Sequence, residues 1–394
     1  MKKTLRTLST ALALASLSAA YSIDFGALLS NDSNLTGNKY AKLMLDQSDT
    51  ASAWIKVPLG KDAYFTTEGM YRFEKKWIDL FDVEENAKSA DDESCVDLSL
   101  AKFQLQKELP SGLFTLSAGR FATADTTSVI YAQAGDGVAL TYAIPGLQLS
   151  AYGAYTGLLN TRTVSILNED GYADEEPSKK YDFAAKYAVA ALTASATGFI
   201  GSQTASIQAL GAFRLEDESF NRLYATLAFS GPVLPRVYYT ASSTLALRTY
   251  DGENELSNLT KASLTLFAEP KSLSLSAAAV YASGEQGPFK AFEGVTSQTA
   301  VRALNGRTEY TGLIKAGLAA SAKPCRTLLT ALGADLIFDA ADTAVGYEGF
   351  QWQLSASWQL VSDVSLSLLT YQYYDVDDDD RNKSCIDISC AIAF

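Results

Sequence analysis

The chain lacks histidine altogether and, in 394 residues, has only 9 prolines and 4 cysteines. Its one unbroken apolar run is a short one near the N-terminus. Without histidine, Ser-His-Asp catalysis, Cys-His catalysis and histidine–zinc sites are excluded. A helical membrane protein is excluded as well, because it needs several runs of ~20 apolar residues. We therefore expect no enzyme, no resident metal and no cofactor.

Acidic residues outnumber basic ones, 45 to 32, so the formal net charge is −13. A surface of this sign repels phosphate backbones, and nucleic acid is not an expected partner. Hydrophobic residues make up 47% of the chain, which is enough apolar surface to bury and excludes global disorder.

The first 20 residues have the layout of a secretory signal peptide. Lys2, Lys3 and Arg6 make a basic start, residues 8–17 are an apolar core, and residues 18–20 are small. This order predicts cleavage after residue 20 and export from the cytoplasm. An amphipathic or buried N-terminal helix is the alternative interpretation.

Strict alternation of apolar and polar residues runs along many segments of the mature chain. The last segment has five apolar positions separated by polar or small ones: Ile386, Ile388, Cys390, Ile392 and Phe394. Residues 350–360 alternate in the same way, with tryptophans on the apolar face. Period two is typical of β-strands with one face for lipid and one for water. A soluble sandwich also alternates, but it would normally hide an aromatic face in a core.

Tight turns and longer polar connections also alternate. The predicted tight turns are residues 110–112, 145–146, 231–235, 269–271, 323–325 and 361–363. The predicted longer connections are residues 74–94, 159–180, 251–258, 283–307 and 375–384. Short periplasmic turns and long extracellular loops are typical of an all-β, transmembrane antiparallel β-barrel. We count about 18 strands, or 16 if Ala-rich residues 181–215 hide no turn. Residues 40–394 would form the barrel, and residues 21–39 a periplasmic tail or small plug.

These features resemble bacterial outer-membrane β-barrel proteins, and the size and strand number resemble the porin branch. In that family the last strand is an assembly signal read by the barrel-assembly machinery, which Ile388, Cys390, Ile392 and Phe394 match here. Ile392 departs from the pattern, which commonly has an aromatic residue there. The resemblance implies an outer-membrane location, with lipids and small hydrophilic solutes as partners, and it leaves a monomer or a homotrimer open.

Charged and amide residues on the polar faces of the predicted strands would line a lumen. The pore-lining candidates are Lys102, Lys186, Arg214, Arg222, Arg248, Lys261, Lys315, Asp335 and Gln353. Opposed charges across a constriction order water and favour polar solutes; alternatively, they pair along the wall and only stiffen it. Basic candidates are slightly more numerous, which predicts a mild anion preference. Residues 122–134 are long and relatively uncharged, and are predicted to fold inward as a constriction.

Two features stay open at the level of sequence. Cys95 and Cys385 each follow an acidic loop and could form a disulfide if those loops pack together; otherwise they are free. The acidic run at residues 375–380 could hold Ca²⁺, but it lacks the Gly and Glu of an EF-hand loop, so a solvated loop is expected.

The predicted function is an outer-membrane channel for passive diffusion of small hydrophilic solutes or ions. One alternative is a transporter of hydrophobic compounds gated by a hatch at residues 21–39. The other is a surface adhesin or structural barrel with a closed lumen. A continuous apolar path through the lumen would mark the transporter, and the Gln, Ser and Arg pattern of the polar faces argues against it.

Overall fold

The computed structural model of the chain is a barrel of 18 antiparallel strands. It describes residues 23–38, 43–77, 89–168, 180–198, 200–216, 220–268, 272–285, 288–296, 310–341, 345–376 and 382–394. The strands are β1 (Asp24–Asn38), β2 (Met44–Pro58), β3 (Ala63–Trp77), β4 (Ser89–Leu109), β5 (Gly112–Ala124), β6 (Ala132–Ile144), β7 (Leu147–Tyr155), β8 (Tyr187–Thr197), β9 (Thr204–Arg214), β10 (Asn221–Leu234), β11 (Val237–Tyr250), β12 (Glu253–Ala268), β13 (Leu273–Ala282), β14 (Leu313–Cys325), β15 (Leu328–Asp339), β16 (Gly346–Val361), β17 (Val364–Asp375) and β18 (Lys383–Ala393).

Each strand pairs with its neighbours in sequence, and β1 pairs with β18 to close the sheet. Backbone hydrogen bonds of 3.1 and 2.9 Å join Ala27 and Phe394 at the junction. Closure leaves none of the 18 described strands at an open sheet edge, which is a requirement for β-structure in lipid. The prediction of an all-β antiparallel barrel with about 18 strands is confirmed.

Helix is scarce in the parts of the chain that the structure describes. One short 3₁₀ helix, Thr161–Thr163, interrupts a loop. Over those same ranges, no helix has both the length and the apolar composition to cross a bilayer.

The alternation along β16 shows how the sequence specifies the two faces of the wall. Trp358 and Leu354 point outward and are exposed, whereas Gln351 points inward and is buried. Directly paired residues of antiparallel strands lie on the same face, so the register carries this assignment around the barrel. The outward face is mostly leucine, isoleucine, valine and aromatic residues, the composition that lipid requires.

The prediction that residues 21–39 form a tail or plug is wrong for the residues that are described. Asp24–Asn38 is strand β1, paired with β2 on one side and β18 on the other. The prediction failed because Asn31 and Ser33 occupy outward positions, which breaks the apolar alternation. The barrel therefore begins before residue 40. Residues 1–22, with the predicted signal peptide, lie outside the described residues.

Most tight turns lie where they were predicted, although one predicted loop is wrong. The turns at residues 110–111, 145–146 and 362–363 agree, and those at 235–236 and 326–327 lie slightly later than predicted. The predicted connection at residues 251–258 is only the two-residue turn Asp251–Gly252, with φ of 51° and 83°. Positive φ at both positions matches the twist of a tight hairpin, and the polar residues after the turn continue β12.

All four cysteines are free. Cys95 on β4 accepts a hydrogen bond from the Asn160 amide at 3.1 Å, and the Cys385 thiol on β18 donates to Asn34 Oδ1 at 3.3 Å. Strands β1, β2 and β3 separate β4 from β18. The disulfide considered between Cys95 and Cys385 is therefore absent, and each thiol has a polar contact of its own.

Candidate pore lumen

Three connections between strands fold back into the barrel. The first is the β5–β6 loop (residues 125–131), within the segment 122–134 predicted to fold inward. The Asp125 carboxylate accepts hydrogen bonds from the backbone N–H groups of Thr127, Ile130 and Tyr131 at 2.6 to 2.9 Å. The backbone N–H of Thr126 donates to Gln208 Oε1 on β9 at 3.0 Å, which ties the loop to the wall three strands beyond β6.

The β7–β8 loop (residues 156–168 and 180–186) is tied to β3 and β4. Arg72 on β3 donates to the carbonyl oxygen of Arg162 at 2.7 Å. The Thr163 hydroxyl donates to Asp97 Oδ2 at 2.9 Å, and Arg162 forms an ion pair with Glu93. This loop therefore lies inside the barrel against a charged part of the wall.

The β13–β14 loop (residues 283–285, 288–296 and 310–312) is tied to β10 and β11. The Arg222 guanidinium donates to the carbonyl oxygens of Gly294 and Leu167, both at 3.0 Å, so one side chain holds two loops. Arg248 pairs with Glu293 at 2.7 Å. Hydrogen bonds to a charged donor contribute more than neutral ones, about 1.5–3 kcal/mol each.

The three loops bond to one another and form a single body. The N–H of Val295 donates to the carbonyl of Ile130 at 2.7 Å, and the N–H of Leu167 donates to the carbonyl of Val295 at 3.0 Å. Around these bonds lies an apolar core formed with the inward side chains of β8–β15: Val129, Ile130, Tyr131, Ile166, Tyr187, Val189, Leu210, Phe220, Tyr224, Leu259, Phe292, Val295, Leu313 and Ile337. Burial of each large apolar side chain stabilises the docked loops by about 1.5–3 kcal/mol.

A buried charge cluster joins β4, β5 and β6 to the β7–β8 loop. Gly119 has φ of 111°, a conformation available to glycine, and Arg120 follows it directly. Arg120 makes a bidentate pair with Asp136 at 2.8 and 2.9 Å and a second pair with Asp97 at 3.3 Å. It also donates to the carbonyl of Leu158 at 2.7 Å. Bidentate geometry makes this the best-formed ion pair of the described wall.

Register places Lys102, Arg214, Arg222, Arg248, Lys261, Lys315, Asp335 and Gln353 on inward faces. Lys186 differs: it precedes β8 and pairs with Glu216 at 2.5 Å, with its side chain half exposed. Arg222 is only 1% exposed and so is covered by the loops rather than open to a solute. Lys315 lies 4.0 Å from Asp335, and Lys261 lies 5.6 Å from the ring centre of Tyr310.

The inward face of β16–β18 and β1–β3 has a different, polar composition. Its inward residues include Gln351, Gln353, Asp387, Ser389, Asp32, Asn34, Asp46, Ser48, Glu68 and Arg72. A cavity of about 490 Å³ opens here, lined by residues that include Asp32, Asp46, Glu74 and Lys76. Polar groups beside open space are the arrangement that a hydrated path needs.

Several anchoring residues were not found from the sequence: Asp125, Glu293, Arg72 and Arg120. Asp125 carried a usable signal, because an aspartate often bonds the backbone two residues ahead in a turn. Glu293 carried none, since its partner Arg248 is distant in sequence. Burial raises the pKa of Glu293 above the ordinary carboxyl value, although Arg248 and Arg222 oppose the shift. Within the described ranges, no group of three or more cysteine, aspartate or glutamate residues is arranged to hold a metal.

No protein-family model and no curated protein matches the sequence. Solved structures do match. Pseudomonas aeruginosa OpdQ has a TM-score of 0.62 at 12% identity, over 94% of this chain and 98% of that one. P. aeruginosa OccK5 (OpdH) has a TM-score of 0.59 at 11% identity, also over 94% and 98%. P. aeruginosa OpdK with vanillate has a TM-score of 0.57 at 10% identity, again over 94% and 98%. The chain therefore has the closed, 18-stranded, porin-like fold of these outer-membrane β-barrels.

Proposed function

We propose that this protein is an outer-membrane channel through which small hydrophilic solutes or ions diffuse passively. The observation that carries the proposal is a closed barrel with an apolar outer face and a polar inward face on β16–β18 and β1–β3. Side chains fill a barrel of eight strands, whereas a barrel of this strand number encloses an aqueous channel unless loops obstruct it. The three docked loops narrow the lumen and would select solutes by size and polarity.

The location and assembly of the protein belong to the same proposal. The predicted signal peptide would deliver the chain across the inner membrane. The outward residues Ile388, Cys390 and Ile392 and the 74% exposed Phe394 would then be recognised by the barrel-assembly machinery. Outer-membrane lipids would cover the apolar belt.

Charge selectivity is proposed to be weak, with the predicted mild anion preference retained. Arg222 and Arg248 are engaged by the loops, and Lys315 lies beside Asp335. Lys102 and Lys261 are inward basic residues on β4 and β12, while Asp32 and Asp46 line the polar cavity. A neighbour in structure, OpdK, was solved with vanillate, so a small organic anion of this kind is a suitable first solute to test.

The alternative functions have less support. A hatch at residues 21–39 would have to be separate from the wall, yet residues 24–38 are strand β1. The apolar groups inside the lumen, such as Ile130 and Phe292, are fully buried in a packed core and do not line an open path. We propose no catalytic role.

Conductance of the purified, folded protein in a planar bilayer tests the function. We expect stable single-channel steps, and a salt gradient gives the reversal potential. Lys102→Gln should move that potential toward cations, and Lys323→Gln, at the exposed turn end of β14, should leave it unchanged. Absence of conductance from protein shown to be folded would contradict the proposal.

A further inference from the structure

Trp54 on β2 is the one tryptophan that points into the lumen. The chain has 4 tryptophans, all of them in the described ranges. Trp54 lies an even number of residues along β2 from inward Ser48, with no shift of register between them, so the two side chains share the inward face. The others are on outward faces: Trp77, Trp352 and Trp358. Outward tryptophans suit the membrane interface, so Trp54 requires a different explanation.

A glycine leaves room for the Trp54 ring against the wall. Gly26 on β1 is the direct partner of Trp54, and a Cβ atom at Gly26 would come within 2.9 Å of the indole atoms Cε2 and Cζ2. The same Cβ atom would lie 2.9 Å from the carbonyl oxygen of Phe394. The indole therefore lies across the backbone of β1, where glycine permits the close approach, and it stays partly exposed.

Polar side chains surround the indole on the inward face. Glu68 is the direct partner of Trp54 on β3, and Glu68 Oε1 accepts a hydrogen bond from the Ser99 hydroxyl at 2.8 Å. Ser52 and Thr66 occupy the neighbouring inward positions of β2 and β3. A carboxylate accepts hydrogen bonds, and a hydroxyl both donates and accepts them. An apolar ring with polar groups around it is thus presented to the lumen.

Trp54 lies on the short-turn side of the docked loops. Arg72, which holds the β7–β8 loop, is paired with Thr50, two inward positions from Trp54. At ~3.3 Å per residue and a tilt of ~40°, this separation is roughly 10 Å along the barrel axis. Beyond Trp54, a cavity of about 560 Å³ opens at the turn end of the strands, lined by residues that include Lys56 and Tyr64. A solute that has passed the docked loops therefore meets Trp54 before it reaches this cavity.

The charges around Trp54 are mixed in sign. Glu68 is beside the ring, and in the next inward row Lys56 and Lys102 are accompanied by Asp24. These two cations and two anions balance, so the wall here does not favour a solute of either charge. A carboxylate directly beside the ring disfavours an anion placed on it, while it can accept hydrogen bonds from hydroxyl groups.

We propose that Trp54 and its polar neighbours form a subsite for an uncharged, cyclic sugar. The inference rests on the proposed channel function and names a class of solute for it. A pyranose ring has a flat face of C–H groups and a rim of hydroxyls. The C–H face can pack on the indole, whose π surface carries partial negative charge, and the rim hydroxyls can bond to Glu68, Ser52 and Thr66. An open-chain polyol has the same hydroxyls but no fixed flat face.

Two independent measurements on the full chain test the subsite. Tryptophan fluorescence of the folded protein in detergent, titrated with glucose, reports binding at Trp54 and needs no open pore. Single-channel current in a planar bilayer reports how glucose obstructs the lumen. In both measurements sorbitol, an open-chain polyol, tests the need for a ring and corrects for viscosity. Benzoate, an aromatic anion, tests the need for an uncharged solute.

Trp54→Leu removes the flat ring and keeps an apolar side chain. We expect this variant to raise the glucose concentration that half-maximally reduces the current by about fivefold or more, and Trp54→Phe, which keeps an aromatic face, to raise it less. Trp358→Leu, the same substitution on the outward face, is the matched control and should behave like the parent protein. Heat-modifiable migration checks that each variant is folded.

Equal responses to glucose and sorbitol would overturn the proposal, as would a response to benzoate alone. A current response to glucose that is unchanged in Trp54→Leu, or a fluorescence change that persists in this variant, would place binding elsewhere and also overturn it. The two measurements separate this inference from the proposed function. Glucose binding to a folded protein that does not conduct would contradict the channel alone. A conducting channel whose fluorescence and current do not respond to glucose would contradict the sugar subsite alone.

Discussion

The two sides of the barrel lumen use the same strand alternation but face different neighbours. On β8–β15, inward side chains such as Tyr187, Leu210 and Leu259 are buried against the docked loops. On β16–β18 and β1–β3, inward side chains such as Asp32, Ser48 and Gln353 are polar. We call these the loop-filled side and the polar side. Both sides have mainly apolar outward faces, so lipid contact alone does not explain the difference between their inward faces.

The loop-filled side shows that strands of a barrel of this size do not always alternate between apolar and polar residues. On β8 and β9, Leu192 and Ile207 point to lipid while Val189 and Leu210 point to the docked loops, so both faces are apolar. This explains why residues 181–215 gave the weakest strand pattern. A strand that is apolar on both faces therefore indicates a section of wall covered by a loop.

The largest expected effect comes from breaking the Arg120 charge cluster on β4, β5 and β6, which lies between the polar side and the loop-filled side. Arg120→Leu would leave the buried carboxylate of Asp97 and the partly exposed carboxylate of Asp136 without their partner. Breaking a buried pair costs about 3–5 kcal/mol. We expect a loss of this size in the free energy of unfolding, measured by urea titration in lipid vesicles. Arg120→Lys keeps the charge but not the bidentate geometry and should lose less. A loss below 1 kcal/mol for the leucine variant would show that the cluster is not an anchor.

The next effect comes from releasing the loop-filled side. Arg222→Leu removes two hydrogen bonds to loop carbonyls, worth about 1.5–3 kcal/mol each. We expect the docked loops to open on the order of 100-fold more often, with larger and noisier single-channel currents. Lys323→Leu removes a charge near a short turn and serves as the control. Unchanged current in the Arg222 variant would mean that the loops stay docked without this side chain.

A smaller effect is expected from pH, because titration of Glu293 should change how often the docked loops open. Burial raises the pKa of Glu293. The Glu293 carboxyl therefore holds its proton more tightly when the β13–β14 loop is docked than when the loop is released. Protonation of Glu293 therefore stabilises the docked loop. This stabilisation is complete below the ordinary glutamate pKa of about 4.3, and it is lost as the pH rises past the raised pKa. Arg248, Arg222 and Glu255 surround the carboxyl and set the size of the shift.

We therefore expect fewer opening events as the pH is lowered from 7.5 to 5, recorded on single channels. Glu293→Gln removes the titrating group and should flatten this dependence. The assignment to Glu293 would be contradicted if opening events depended more steeply on pH in Glu293→Gln than in the parent protein. It would also be contradicted if the parent protein opened more often as the pH is lowered.

The smallest effect concerns the polar side. Asp32 lines its cavity, and a charged lumen residue biases ion flow. Asp32→Asn should shift the reversal potential in a tenfold salt gradient by a few millivolts toward anions. Asp92→Asn, on the outward face where Asp92 pairs with Lys75 at 3.2 Å, is the control. A shift in the control alone would show that the exterior governs selectivity.

Much of the fold was predictable because each membrane-spanning β-strand must place residues that suit lipid at every second position, a pattern visible within the strand itself. Outward residues of β16 and β18 must suit lipid, and this requirement is visible at every second position. The inward fold of the segment around Asp125 was also predictable from its length and low charge. Strand β1 was missed because Asn31 and Ser33 break the rule locally.

The site was less predictable because its contacts are non-local. Arg222 lies on an inward face, but its partners Leu167 and Gly294 belong to two different loops. Nothing in the sequence near Arg222 reveals that loops cover it. Which inward charges hold loops and which face open space depends on the three-dimensional path of those loops, and alternation carries no information about that path.

The pairing of β1 with β18 has a consequence for how the barrel forms. Leu28 is paired with Ala393, so the first and last strands must meet before the wall is complete. Bringing together points so far apart in the chain costs roughly 5 kcal/mol of chain entropy by the (3/2)RT ln n relation. The other neighbouring strands can zip sequentially through their hairpins, so the seam is expected to close last and slowly. Until then, β1 and β18 are open edges able to pair with a foreign strand.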